Sequence, residues 1–201
     1  MSGTAIDGRT VARPRAEPAS PAILPLRALW LVGAVLVGLV AAIAADQLWP
    51  LIFFHVAGGA LWTSIDLFMG FVIGPLLSHL DPPARIAVTR RLMPQMLLIM
   101  PTLVLVTLAS GWQVARRMDL LTIPYPQHWW IVASFVVVAV MAITAYVVLE
   151  PANIVVLLEL RKPEPNVALI GRLMRRFVYA AAVTGAMQVA ILVIMTQIAT
   201  W

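Results

Sequence analysis

The run LIFFHVAGGALWTSIDLFMGFVIGPLL, residues 51–77, decides how the rest of the chain is read. It is an unbroken apolar segment longer than the roughly 18 residues that mark a membrane-helix candidate, yet it carries His55 and Asp66. Ionisable side chains are costly in hydrocarbon and normally face a bundle interior, a cavity or a ligand. At about 100° per residue, His55, Gly59, Trp62, Asp66 and Met69 fall on one narrow helical stripe.

Four similar runs surround it, giving expected helices over 28–45, 51–77, 95–112, 129–149 and 177–199. An isolated strand could not satisfy its backbone polar groups in lipid, so helices are the expectation. Residues 1–20 mix Pro, Ala, Ser, Gly and Arg without periodicity and read as a disordered basic tail. Residues 21–201 read as a single transmembrane domain. The composition agrees: 62% hydrophobic and only 11% charged, against about 25% charged in soluble domains. With no cysteine, disulfides, thiolate metal sites and cysteine nucleophiles are excluded. The net charge of +5 sits between apolar runs, the pattern of membrane topology and not of nucleic-acid binding.

Placing the N-terminus inside puts 12 of the 14 Lys and Arg residues on the cytoplasmic side, so the positive-inside rule gives N-in and C-out. Trp49, Trp112, Trp129, Trp130 and Trp201 then collect at the outer interface, as an aromatic belt requires. The expected fold is an all-α integral membrane bundle of five helices, four forming a core and one added N-terminally. The basic leader, first apolar run and Ala42-Ile43-Ala44 also resemble a signal peptide with a small-residue cleavage site. Pro151, after Glu150, allows a kinked extension of the fourth helix over 152–160.

His55 lies near the outer end of its helix, and a neutral imidazole there suits haem iron, copper or zinc, or can relay protons; alternatively it is an interfacial histidine bonded to a carbonyl or a lipid headgroup. Ala57-Gly58-Gly59-Ala60 beside it offers a surface without bulk, and His128 is the partner expected at similar depth. Asp66, at mid-membrane, is a candidate proton relay or substrate contact, or makes a structural interhelical bond. Gln188 of the last helix is its expected hydrogen-bond partner. Trp62 lies between the two on the stripe and is either a pocket wall or core packing. Arg116 and Arg117 could hold the propionates of a haem, or only anchor the interface. Met69, Met96 and Met100, with His55, offer thioether and imidazole donors suited to copper; methionine is equally ordinary core filler. P-loop, H-E-x-x-H, G-x-S-x-G and Rossmann signatures are absent.

The segment His55-Val-Ala-Gly-Gly-Ala-Leu-Trp62, with the apolar run to Pro75, resembles the bacterial copper-resistance D family. Its His-x6-Trp spacing is also similar to the HemJ-type membrane protoporphyrinogen oxidases, and the likeness extends loosely through Arg91-Leu-Met-Pro94 to Gly111. The resemblance implies a bacterial inner-membrane protein and a haem-binding role for His55. Where those relatives run Gly-Gly-rich after the tryptophan, this chain has Thr63-Ser64-Ile65-Asp66. The leading expectation is a haem-b-associated redox or porphyrin-handling protein. Copper handling or small-solute transport, and a non-catalytic subunit of a membrane complex, are the alternatives. The lipid bilayer is the expected partner, together with a second copy or other membrane subunits.

Overall fold

The computed structural model describes residues 26–162, 164 and 166–201; the expected disordered tail, 1–20, lies outside them. Among the described residues every regular element is helical. The elements are α1 (Leu26–Ala44), α2 (Leu48–Phe68), a π turn (Met69–Ile73), α3 (Gly74–His79), α4 (Pro82–Arg117), a 3-10 turn (Leu120–Thr122), α5 (His128–Ile143), a second π turn (Thr144–Leu149), α6 (Glu150–Glu159) and α7 (Val167–Ile198). Four continuous spans are long and apolar enough to cross a membrane: Leu48–His79, Pro83–Arg117, His128–Glu159 and Ala168–Ile198. Of α1, the stretch Leu29–Ala44 is apolar but shorter.

The spans outrun the expected boundaries, and proline explains much of the difference. Pro82 and Pro83 open α4, where a missing N–H costs nothing. Pro94, expected at a helix entrance, lies inside α4 along with Pro101. Each removes one donor but does not end the helix. Pro75 and Pro151 act differently. Each follows a π turn, Met69–Ile73 and Thr144–Leu149 respectively. Widening the helix by one residue relieves the clash between the proline ring and the carbonyl one turn back. The third span therefore continues through Pro151 to Glu159, the extension that Pro151 was expected to allow. At the start of α7 the Asn166 side chain accepts from the Leu169 N–H, an N-cap that begins the helix at Val167, not 177.

The spans pack as a closed ring. α2 lies along α4, α4 against α6, α5 along α7, and α7 against α2. Large apolar side chains such as Phe71, Val136, Val147 and Val189 point outward and are exposed. Ser110, Ser134, Thr184 and Gln188 are buried. A protein with apolar groups outside and polar groups inside is suited to a bilayer, whose tails are as apolar as leucine. Three of the buried hydroxyls are satisfied on their own helices: Ser110 donates to Val106 O, Ser134 to Ile131 O and Thr184 to Ala180 O; the buried Thr107 hydroxyl has no hydrogen-bond partner among the described residues.

α1 rides on the outside of the ring against α2 and α4, with Leu39 and Ala42 buried. Its C-terminus is held by Arg117, which donates to Ile43 O at 2.8 Å and Gln47 O at 3.3 Å and pairs with Asp46 at 3.0 Å. Asp46 is almost wholly exposed, so the carbonyl bonds matter more than the ion pair. Arg117→Ala is expected to cost about 1 kcal/mol and to raise hydrogen exchange selectively over residues 41–47, with α5 and α7 unchanged.

Candidate functional site

The site begins with the antiparallel seam between α2 and α4. Three steps of that seam are visible in side-chain contacts. His55 meets Gly111, Gly58 meets Thr107, and Trp62 packs on Val104. The contact at Gly111 is close enough to require glycine. A Cβ there would lie 2.6 Å from both Cε1 and Nδ1 of His55. One step down, a Cβ on Gly58 would lie 2.7 Å from the Thr107 hydroxyl. Ala57-Gly58-Gly59-Ala60 was expected to leave a surface without bulk for a flat macrocycle or a neighbouring helix, and at Gly58 it is the neighbouring α4 that approaches. Gly58 is filled by Thr107, and the cradle for the imidazole is Gly111 on the opposite helix.

The same turn of α4 fixes the histidine chemically. His55 Nδ1 lies 2.9 Å from the Thr107 carbonyl oxygen. A carbonyl can only accept, so Nδ1 carries the proton and donates. In the neutral ring Nε2 then holds a lone pair, and no group among the described residues engages it. Metal-ligating histidines are typically oriented in this way, by a carbonyl on the other ring nitrogen. His55 is only half-buried, so the ring is fixed without being sealed in.

A second polar site lies deeper. Gln188 Nε2 donates to Asp66 Oδ2 at 2.6 Å, joining α7 to α2, which is the partnership expected for a carboxyl at that depth. Trp62, one turn earlier, brings its indole N–H to the same carboxyl. Gln188 is completely buried and its Oε1 has no hydrogen-bond partner among the described residues. Between the two sites is an apolar layer built on Trp62, Val104 and Met141, with Met100, Leu103, Val137 and Met187 packed around it. Trp62 is therefore core packing and the divider between two sites. Eleven residues of helix, about 16 Å, separate His55 from Asp66.

The remaining candidates are dispersed. His128 begins α5 with its ring 5.0 Å from that of Tyr125, and no contact joins it to His55. Arg116 is exposed, whereas Arg117 is committed to the end of α1. Met69 and Met96 line one groove of about 450 Å³ with Ser64, Phe68 and Leu92, while Met100 belongs to the Trp62 layer. Met69 is fourteen residues along the helix from His55, about 21 Å, so the methionines and the histidine do not form one donor set. Among the described residues no three His, Asp or Glu side chains converge on a metal-sized site.

Two features had no counterpart among the expected sites. The Tyr146 hydroxyl, in the second π turn, donates to Pro101 O at 3.0 Å and ties the third span to the second. Glu150, expected at a helix end, is inside the continuous third span. The Glu150-Pro151 pair was the available signal, since a proline that widens a helix leaves the preceding residue within it. Comparison of the chain with known protein families, characterised proteins and solved structures returns no match.

Proposed function

We propose that the protein is a polytopic protein of the bacterial inner membrane in which His55 would serve as a ligand to haem b. In this reading the N-terminus is inside, the C-terminus outside, and α1 is a fifth membrane helix. The supporting observation is the His55 geometry. Its Nδ1–H is bound to the Thr107 carbonyl, its ring is seated on Gly111, and Nε2 is unengaged among the described residues. The donor set favours haem over a bare ion. A porphyrin brings four nitrogens of its own and needs one protein ligand, whereas copper or zinc needs three or four converging side chains. The likeness of His55 to Trp62 to the porphyrin-handling oxidases points the same way.

The residues present fit such a group in part. His55 supplies the ligand, and Arg116 is free for a propionate; Arg117 would first have to leave α1. Bound haem would supply one-electron chemistry at its iron. Asp66 and Gln188 form a hydrogen-bonded pair below the Trp62 layer, in a site separate from the ligand.

The test is an absorption spectrum of the full chain expressed with added haem precursor and purified in detergent. A Soret band at one haem per chain is expected. A colourless protein that also fails to take up added haem b would overturn the reading.

A further inference from the structure

The basic residues at the end of the bundle remote from the tryptophans divide into two groups. Some serve the fold. Arg85 donates to the carbonyls of Leu77, Ser78 and Leu80, closing the end of α3, and Arg90 donates to Leu160 O, tying α4 to α6. Lys162 neutralises Glu159, whose other oxygen accepts from the Asn166 N–H. Arg172, Arg175 and Arg176 of α7 do none of this. All three are exposed, and none contacts a carboxylate or carbonyl among the described residues.

Their spacing is i, i+3 and i+4, and Tyr179 follows at i+7, so the four side chains occupy about 100° of one helix face. Tyr179 is 75% exposed. No Asp or Glu occurs in α7 from Val167 to Ile198, so nothing on that helix offsets the charge. With 32 residues at 1.5 Å each, α7 is about 48 Å long, against a hydrocarbon core of about 30 Å. Its other end is fixed at the tryptophan-bearing interface by Trp201. The first two or three turns therefore stand at or beyond headgroup level, and that is where the arginines are.

We propose that Arg172, Arg175, Arg176 and Tyr179 form a binding face for the phosphate headgroup of an anionic phospholipid. Guanidinium groups pair with phosphate through two parallel N–H donors, and the amphipathic tyrosine ring suits the boundary between headgroup and acyl chain. Three like charges on adjacent turns repel one another, and a phosphodiester set between them removes that repulsion. Unlike orientation by the positive-inside rule, which depends only on charge number, this face should discriminate between lipids after purification.

The experiment is native mass spectrometry of the full chain in detergent, titrated separately with dioleoyl-phosphatidylglycerol, dioleoyl-phosphatidylcholine and inorganic phosphate. The wild type should retain phosphatidylglycerol in clear preference to phosphatidylcholine and show no adduct with inorganic phosphate. Each single Arg→Gln change at 172, 175 or 176 should weaken phosphatidylglycerol about fivefold, the factor to which ~1 kcal/mol per arginine corresponds. Arg116→Gln, at the other end, should leave the preference intact, and thermal melts in phosphatidylcholine nanodiscs should confirm that all variants fold. Equal retention of the two lipids by the wild type, or an unchanged preference in the Arg172→Gln/Arg175→Gln/Arg176→Gln variant, would overturn the proposal. Binding of inorganic phosphate in competition with the lipid would assign the face to a free anion.

Discussion

Replacing His55 with alanine is expected to lower the affinity for haem b by about 100-fold or more and to remove the Soret band, with helical circular dichroism unchanged. The size follows from the loss of a metal ligand, since even outer partners of ligating histidines are worth 10–100-fold. The fold should survive because the ring is only half-buried and contributes one hydrogen bond, to Thr107 O, worth about 1 kcal/mol. Gly111→Ala makes the same point without touching the ligand. Its new methyl would lie 2.6 Å from the His55 ring, so the imidazole must leave the Thr107 carbonyl. Haem affinity is then expected to fall about tenfold or more. Equal affinity in wild type, His55→Ala and Gly111→Ala would remove His55 from the site.

The second large effect concerns the Asp66–Gln188 pair. Gln188 is wholly buried and already has one unpartnered oxygen. Asp66→Leu would leave its amide N–H unpartnered as well, and the cost is expected to be about 1–3 kcal/mol. Gln188→Leu should cost a similar amount by isolating the carboxyl. The double variant should lose less than the two singles together, with a coupling of about 1 kcal/mol, in the range of interhelical polar contacts in membranes. Strict additivity of unfolding free energies in detergent would contradict the contact. Asp66→Asn separates structure from proton handling, because its side-chain oxygen still accepts from Gln188 while the ionisable proton is gone. A stable Asp66→Asn protein with impaired turnover would make Asp66 a relay; full turnover would leave it a structural partner.

Much of the fold could be read from hydropathy, because membrane helices must be long and apolar and must satisfy their own backbone. The ends were harder to place. The third run was expected to begin as a helix at 95, yet α4 runs through Pro94 from Pro82, since one missing donor does not outweigh the surrounding helix in an apolar medium. The Asp66–Gln188 pairing was legible because a mid-membrane carboxyl needs a partner and one facing helix offers a glutamine at comparable depth. The seat of His55 was not. The residue that cradles it, Gly111, is one small residue among many, and only the register of α2 on α4 selects it over the adjacent Gly58-Gly59. Arg117 was read as an interfacial or propionate-binding residue for want of the same information, the position of α1.

The most direct test is the ring nitrogen spectrum of His55 in protein labelled with 15N-histidine, assigned by comparison with His55→Ala. The geometry requires a proton on Nδ1, and the ligand assignment predicts a bare Nε2 whose resonance shifts or broadens on addition of haem b. A ring protonated at Nε2, or one whose Nε2 signal is unmoved by haem, would contradict the assignment of His55 as the ligand.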